Sequence, residues 1–193
     1  MKVIAINGSP RKKGNTCTLL KLVLKELEQE GIDTEIVQLG GEAVHGCTAC
    51  MKCFKKQNKR CTIKKDKIND IIEKMVEADG ILIGSPTYFT NVTPEIKALI
   101  DRAGFVGIAN GGLFARKVGA AVVAVRRAGA LPTFDAINHF FQISQMVIPG
   151  STYWNLGVGL DKGDVEDDKE GVATMQNLGQ NMAWLLKKLH EKN

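Results

Sequence analysis

Four of the five cysteines, Cys47, Cys50, Cys53 and Cys61, fall within fifteen residues, spaced Cys-x2-Cys-x2-Cys-x7-Cys. Thiolates are soft ligands, and four of them in one flexible connection can wrap a single tetrahedral metal ion or a metal cluster. A structural zinc site more often pairs two Cys-x2-4-Cys knuckles across a longer span. Three ligands at successive two-residue gaps are more typical of a cubane iron–sulfur cluster. Thr62, not Pro, follows the fourth cysteine, so the bacterial ferredoxin run is not reproduced. Metal-free thiols are the third reading. Cys17 stands apart and reads as a small core or loop-adjacent residue.

A second group of candidate residues follows the first apolar run, in Gly8-Ser9-Pro10-Arg11-Lys12-Lys13-Gly14-Asn15-Thr16. It offers hydroxyls, an amide, cations and flexible backbone just ahead of a helix. Unpaired N–H groups and the helix dipole favour a phosphate at such a place. The plainer reading is a polar strand-to-helix turn. A Walker loop needs Lys and then Ser or Thr after its last glycine, but Asn15-Thr16 follows Gly14, and no Gly-x-Gly-x-x-Gly follows the first strand. A nucleoside triphosphate or a Rossmann dinucleotide is thus disfavoured. Ser85-Pro86-Thr87-Tyr88-Phe89 and Arg126-Arg127-Ala128-Gly129-Ala130 follow two further apolar runs. His45, His139 and His190 show no triad or metal spacing, which leaves them surface or packing roles.

These loops need elements to hold them. Residues 2–7, 80–84 and 117–125 are apolar enough to be buried strands, and the more polar 34–39 reads as an edge strand. Asn15 or Thr16 can cap a helix with the face Leu19, Leu20, Val23, Leu24 and Leu27, ended by Gly31. Asp66 can cap the next, with Ile68, Ile71, Ile72, Met75 and Val76. Thr93-Pro94 opens a third, and residues 132–146 read as a fourth. Val147-Ile148 reads as the start of a last strand region. A C-terminal helix is expected to bury Met175, Leu178, Met182, Leu185 and Leu189. Apolar strands alternating with amphipathic helices predict an α/β three-layer sandwich. Its five-stranded parallel sheet would take the flavodoxin-like order 2-1-3-4-5, with ligands beyond the carboxyl ends of the strands. The 193 residues suit a single domain, with the cysteine-rich loop spanning about 44–65.

Charge is unevenly spread. Residues 52–67 hold eight Lys or Arg against one acid, Asp66, a balance of +7, while the whole chain is +5 and the remainder therefore −2. This is a slightly acidic chain with one basic loop, and Phe54 is its one aromatic, so nucleic acid is not the expected partner. Residues 161–170 carry six acids against Lys162 and Lys169; a solvated loop, or a face for a neighbouring subunit's basic loop, are the two readings. The apolar start is too short for a signal peptide, and residues 118–125 are too short to cross a bilayer. A cytoplasmic protein with reduced thiols and no membrane partner is expected.

Three segments together resemble the NADPH-dependent FMN reductase superfamily. They are Gly8-Ser-Pro-Arg with Gly14-Asn-Thr, Ser85-Pro-Thr-Tyr-Phe, and Lys97-Ala-Leu-Ile-Asp-Arg102. The resemblance runs from residue 1 to about the last helix. It implies that Ser9, Arg11, Asn15 and Thr16 hold the FMN phosphate and that Pro86, Thr87, Tyr88, Phe89 and Asn91 border the isoalloxazine ring. Arg126 and Gly129 would join them, although their loop is less glycine-rich than is common in relatives. With the cysteine motif added, the chain is similar to the iron–sulfur flavoproteins of anaerobes, in which a compact four-cysteine motif binds a 4Fe–4S cluster beside FMN. That resemblance implies Cys47, Cys50, Cys53 and Cys61 as cluster ligands, a homodimer or homotetramer to which Tyr153-Trp154 could contribute, and an acidic carrier such as ferredoxin as partner. The expected activity is an FMN-dependent oxidoreductase with no general acid, base or nucleophile among its own residues. A cluster-free NAD(P)H-dependent flavin or quinone reductase, and a non-catalytic redox carrier or sensor, are the alternatives.

Overall fold

In the computed structural model, which describes residues 1–191, strands and helices alternate along the chain. They run β1 (Lys2–Asn7), α1 (Asn15–Gln29), β2 (Asp33–Gln38), α2 (Lys52–Lys56), α3 (Ile68–Glu77), β3 (Gly80–Pro86), α4 (Pro94–Ala109), β4 (Val118–Val125), α5 (Ala130–Ile143), β5 (Leu156–Val158) and α6 (Lys169–His190). The strands pair in parallel in the order β2-β1-β3-β4-β5, the expected topology, with the half-buried β2 at one edge.

The two-residue period of the strands sorts their side chains into two cores. Val3, Ala5, Leu82, Ala120 and Val122 face α1 and α6, where they meet Leu19, Leu20, Val23, Leu27, Met175, Leu178 and Met182. Ile4, Ile6, Ile81, Ile83 and Ala121 face the other way, against α3, α4 and α5. Both sheet faces are therefore covered, which is why β1, β3 and β4 read as unbroken apolar runs. Each fully buried Leu or Ile contributes about 1.5–3 kcal/mol relative to exposure.

Several boundaries differ from the sequence expectation. Val147 makes an isolated bridge to Val118, and the fifth strand lies further on, at Leu156–Val158. Pro149 lacks the N–H that would have continued the ladder. Helix α5 starts two residues before Pro132, since a proline in the first turn removes an N–H that has no intrahelical partner there. Gly14, not Asn15 or Thr16, occupies the N-cap of α1. Lys67 occupies that of α3, while Asp66 beside it accepts the Ile68 N–H at 3.2 Å. On α6, Ala183 and Leu186 are buried while Leu189 is 48% exposed. A 3.6-residue turn rotates the buried stripe away from an alternating three-and-four count over a helix this long. The connection expected to be irregular contains the short helix α2.

Candidate functional site

Side chains at the tips of two strands shape the first loop. Asn7, the last residue of β1, accepts the Ser9 N–H at 3.1 Å and donates to Gln38 at 2.8 Å. Gln38, the last residue of β2, donates in turn to the carbonyls of Ser9 (2.8 Å) and Gly40 (2.7 Å). Gly40 passes so close that a Cβ there would lie 2.3 Å from the Ser9 carbonyl carbon. The Ser9 hydroxyl accepts the Arg11 N–H at 3.2 Å, and the Gly14 N–H closes the turn onto the Arg11 carbonyl at 2.9 Å. No side chain caps α1. Its first-turn N–H groups, at Asn15, Thr16 and Cys17, have no protein acceptor among the described residues. The helix therefore presents the donor set and dipole that an anion binds.

Ser9, Arg11, Asn15, Thr16, Pro86, Thr87, Tyr88 and Arg126 line one cleft at the carboxyl end of the sheet. Ala124, Gly159 and Leu160 complete its wall. The lining holds two arginines, no carboxylate, and a proline, tyrosine and leucine. That chemistry fits FMN: cations and free N–H groups for the phosphate, flat and apolar surface for the ring.

Asn15 is already engaged. Its Nδ2 donates to the Asp161 carbonyl at 2.9 Å and its Oδ1 accepts the Gly163 N–H at 2.9 Å. Arg11 also donates to the Leu160 carbonyl, at 3.2 Å. Asn15 thus clamps the segment after β5 over the first loop, and that segment had no signal in the sequence beyond its acids. Two of those acids serve the fold directly. Asp164 accepts the N–H groups of Leu160 (2.9 Å) and Asp161 (2.7 Å). Asp168 caps α6 through the Gly171 N–H at 3.0 Å and accepts the Val158 N–H at 2.7 Å.

Phe89, Asn91 and Gly129 lie outside the cleft lining. Tyr88 and Asn91 exchange backbone hydrogen bonds of 2.8 and 3.0 Å around a tight turn, with Phe89 (φ +46°) and Thr90 (φ +64°) both left-handed. Such a turn favours Asn and Gly, and a β-branched residue in it stores strain of about 1–3 kcal/mol. Phe89 projects fully into solvent. Gly129 (φ +84°) brings its loop against Thr90, where a Cβ would lie 2.9 Å from the Thr90 methyl.

Helix α4 connects this end of the molecule to the cysteines. At its start the Thr93 hydroxyl donates to the Gly8 carbonyl (3.0 Å) and the Thr93 N–H to Ser85 Oγ (3.1 Å). Nine residues on, roughly 14 Å along the axis, Arg102 reaches the cysteine loop, with Phe105 and Val106 beyond it. All four loop cysteines line one small cavity with Arg102, Phe105 and Val106. Cys50 is exposed and Cys47, Cys53 and Cys61 half-buried, whereas Cys17 is buried on α1. The Ala49 N–H donates to Cys47 Sγ at 3.4 Å. Cys50 lies 3.5 Å from the Thr62 hydroxyl. That contact and a backbone N–H at Lys52 pull its thiol down to about 7. Ala49, Met51, Gln57 and Lys59 are all left-handed, an uncommon density of strained non-glycine backbone.

Asn69 on α3, which the sequence reading passed over, fixes the last cysteine. It accepts the Cys61 N–H at 2.7 Å and donates to the carbonyls of Cys61 (3.0 Å) and Ile63 (2.8 Å). Asp66 pairs with Arg102 at 2.5 Å, both side chains being buried. Burial pushes the Asp66 carboxyl up, but hydrogen bonds from Arg102 and the His45 N–H outweigh it and hold it below the usual aspartate range. Among the described residues, no three His, Cys, Asp or Glu side chains come close enough together to hold one metal ion. Four thiols on one cavity fit a thiolate-ligated group in donor chemistry.

Sheet order, cleft position and cleft chemistry together define a flavin-binding protein of the flavodoxin-like class. The chain belongs to the NADPH-dependent FMN reductase family, which matches residues 1–161. It is an FMN-dependent oxidoreductase. An iron–sulfur flavoprotein of Methanocaldococcus jannaschii is 39% identical over 97% of this chain and 98% of its own. One of Methanosarcina thermophila is 32% identical over 100% of this chain and 98% of its own. Among solved structures, RosB with bound 8-demethyl-8-formylriboflavin-5'-phosphate superposes with a TM-score of 0.75 at 18% identity, covering 100% of this chain and 81% of its own. A WrbA-like flavodoxin of Agrobacterium tumefaciens gives 0.68 at 12% identity, covering 97% and 98%. These two likenesses carry the fold. No helix among the described residues is long and apolar enough to cross a membrane.

Proposed function

We propose that the chain, acting as one FMN-binding domain with a cysteine-rich insertion, moves electrons between FMN in the cleft and a 4Fe–4S cluster on Cys47, Cys50, Cys53 and Cys61, and from there to or from an acidic carrier such as ferredoxin. FMN supplies hydride and single-electron chemistry and the cluster single-electron transfer. The protein's own residues bind, orient and shield. The uncapped start of α1 with Ser9, Thr16 and Arg11 holds the phosphate. Pro86, Thr87 and Tyr88 flank the ring. Arg126 sets a positive charge beside it. Asn15 holds the 160–163 segment as a cover that limits access of water.

The observation that carries this reading is the gathering of all four loop thiols onto one cavity in a chain 39% identical to a protein named an iron–sulfur flavoprotein. The Cys-x2-Cys-x2-Cys-x7-Cys sequence spacing supports a cluster over zinc. Anaerobic purification with an absorbance spectrum, FMN release, and iron and acid-labile sulfide assays tests it. FMN, iron and sulfide together are expected; protein lacking iron and sulfide after anaerobic reconstitution would overturn the cluster. The second reading, a cluster-free NAD(P)H-dependent flavin or quinone reductase, is favoured by the unconverged thiols and would then stand.

The basic loop supports the carrier. Lys52, Lys55, Lys56, Lys59, Lys64 and Lys65 have no carboxylate partner among the described residues, whereas Arg60 pairs with Glu73 and Asp70, and Lys67 with Glu42. Steering by this surface weakens with added salt, so electron transfer from reduced ferredoxin or to oxidised ferredoxin is expected to slow as ionic strength rises. A homodimer or homotetramer is supported by the exposed aromatics Phe89, Tyr153 and Trp154 and is read by light scattering. The reduced thiols of such a site suit the cytoplasm.

A further inference from the structure

Arg102 heads the largest fully buried side chains. Its Nη1 donates to the His45 carbonyl at 3.1 Å and to Asp66 at 2.5 Å, and its Nη2 donates to the Ile63 carbonyl at 2.9 Å. Its Nε–H has no acceptor. The one other buried side-chain atom in that position among the described residues is Asn138 Oδ1. An unpaired buried N–H on a charged group costs more than the usual 1–3 kcal/mol or so of an orphaned polar atom, and native interiors rarely leave one without a purpose. Arg102 is also on the wall of the cavity that the four cysteines share.

We propose that the Arg102 Nε–H is a hydrogen-bond donor to sulfur of the group held by Cys47, Cys50, Cys53 and Cys61, and that it raises that group's reduction potential. The inference rests on the cluster reading above and deepens it. The guanidinium is placed for the task by its other bonds. It grips the chain at His45, two residues before Cys47, and at Ile63, two residues after Cys61, so the whole cysteine segment is registered against α4. Asp66 neutralises its charge, which keeps the buried cation paired with or without a bound group. Nε is the one guanidinium nitrogen without a partner in that framework. A hydrogen bond to sulfur in a dry pocket stabilises the more negative, reduced form, so its loss lowers the potential.

The test uses the anaerobically purified holoprotein, with iron and sulfide content measured first. Protein grown with arginine carrying 15N at Nε is reduced, and its cluster is read by pulsed electron paramagnetic resonance. A weak 15N coupling is expected, and it should vanish in Arg102→Lys, which keeps the charge and one donor for Asp66 but has no Nε. The midpoint potential of Arg102→Lys is expected to shift negative at unchanged iron and sulfide content, with Ile108→Ala, an exposed residue on the same helix outside that cavity, close to the parent. A loaded cluster without 15N coupling, or an unchanged midpoint in Arg102→Lys, would overturn the inference while leaving the cluster reading intact. Absence of iron and sulfide in the parent protein would overturn both. If Arg102→Lys does not fold or load, the coupling in the parent decides alone.

Discussion

The cleft at the strand ends and the cysteine cavity lie toward two ends of one helix, and they are held in different ways. The cleft is built on strand ends. Asn7 and Gln38 are the last residues of two adjacent paired strands; Asn7 accepts the Ser9 N–H and donates to Gln38, which donates to the Ser9 and Gly40 carbonyls. The cysteine loop has no strand beneath it. It is tied at its ends by Arg102, Asp66 and Asn69, and its middle, around Cys50, is exposed. Regular structure prepares one site in advance; the other depends on a few buried polar anchors and on whatever its thiols bind. The strained turns at 49, 51, 57 and 59 lie in the second region, where the bonds of a bound group can repay the strain.

Asp66→Asn should break the comparison most severely. It leaves the Arg102 charge buried without its counter-ion, at about 3–5 kcal/mol, or on the order of 10 °C in Tm at about 2–4 °C per kcal/mol. Calorimetry reads the loss, and iron content should fall further than FMN content. The same pair sets an acid limit. Because the folded Asp66 carboxyl lies below the usual range, its contribution is fully present above the unfolded value of about 3.9 and disappears as pH falls through the folded value. Acid titration followed by circular dichroism should show this phase in the parent and not in Asp66→Asn.

Gly40→Ala tests the strand-built site. The added methyl meets backbone, not a flexible side chain, so a destabilisation of about 1–3 kcal/mol is expected. FMN should be lost while iron is retained, the reverse of Asp66→Asn. Asn15→Ala should cost about 1–2 kcal/mol of flavin binding, roughly tenfold in FMN Kd, because the 160–163 segment is released; fluorescence titration measures it, and an unchanged Kd would remove the cover from the proposal. Glu35→Gln is the control. Hydrogen bonds from Lys74 and Lys2 hold the Glu35 carboxyl below its ordinary value. The pair contributes above about pH 4.3 and fades as pH falls through the depressed folded value. These side chains are about a third exposed, so solvent screening should keep the loss under about 1 kcal/mol, with FMN and iron contents both unchanged.

Much of the cleft was legible because its residues are close in sequence to a strand end. Ser9, Arg11 and Thr16 follow β1, and Pro86, Thr87 and Tyr88 close or follow β3, and all line one cleft. Phe89, expected at a ring edge, stands fully exposed at the tip of the 88–91 turn, where its φ is left-handed. Gly159 and Leu160 were not legible at all. They reach the cleft through a fold-back that depends on Asn15, 146 positions away from Asp161. Asp164 and Asp168 read as surface charge because a cap or loop acceptor differs from a solvated acid in its neighbours alone.

By itself the sequence determined the alternation of elements, the two buried faces of the sheet and the concentration of thiols and cations in one loop. Those properties reside in short-range periodicity and composition, which neighbouring residues settle. Tertiary structure alone decided where β5 begins, that the buried stripe of α6 ends on Ala183 and Leu186 and not on Leu189, that Asn15 clamps a segment as well as facing the cleft, and that Arg102 spans both ends of the cysteine loop. The last two depend on polar groups finding partners far along the chain. The cost of leaving such groups unpaired selects one arrangement among many that local preferences would allow.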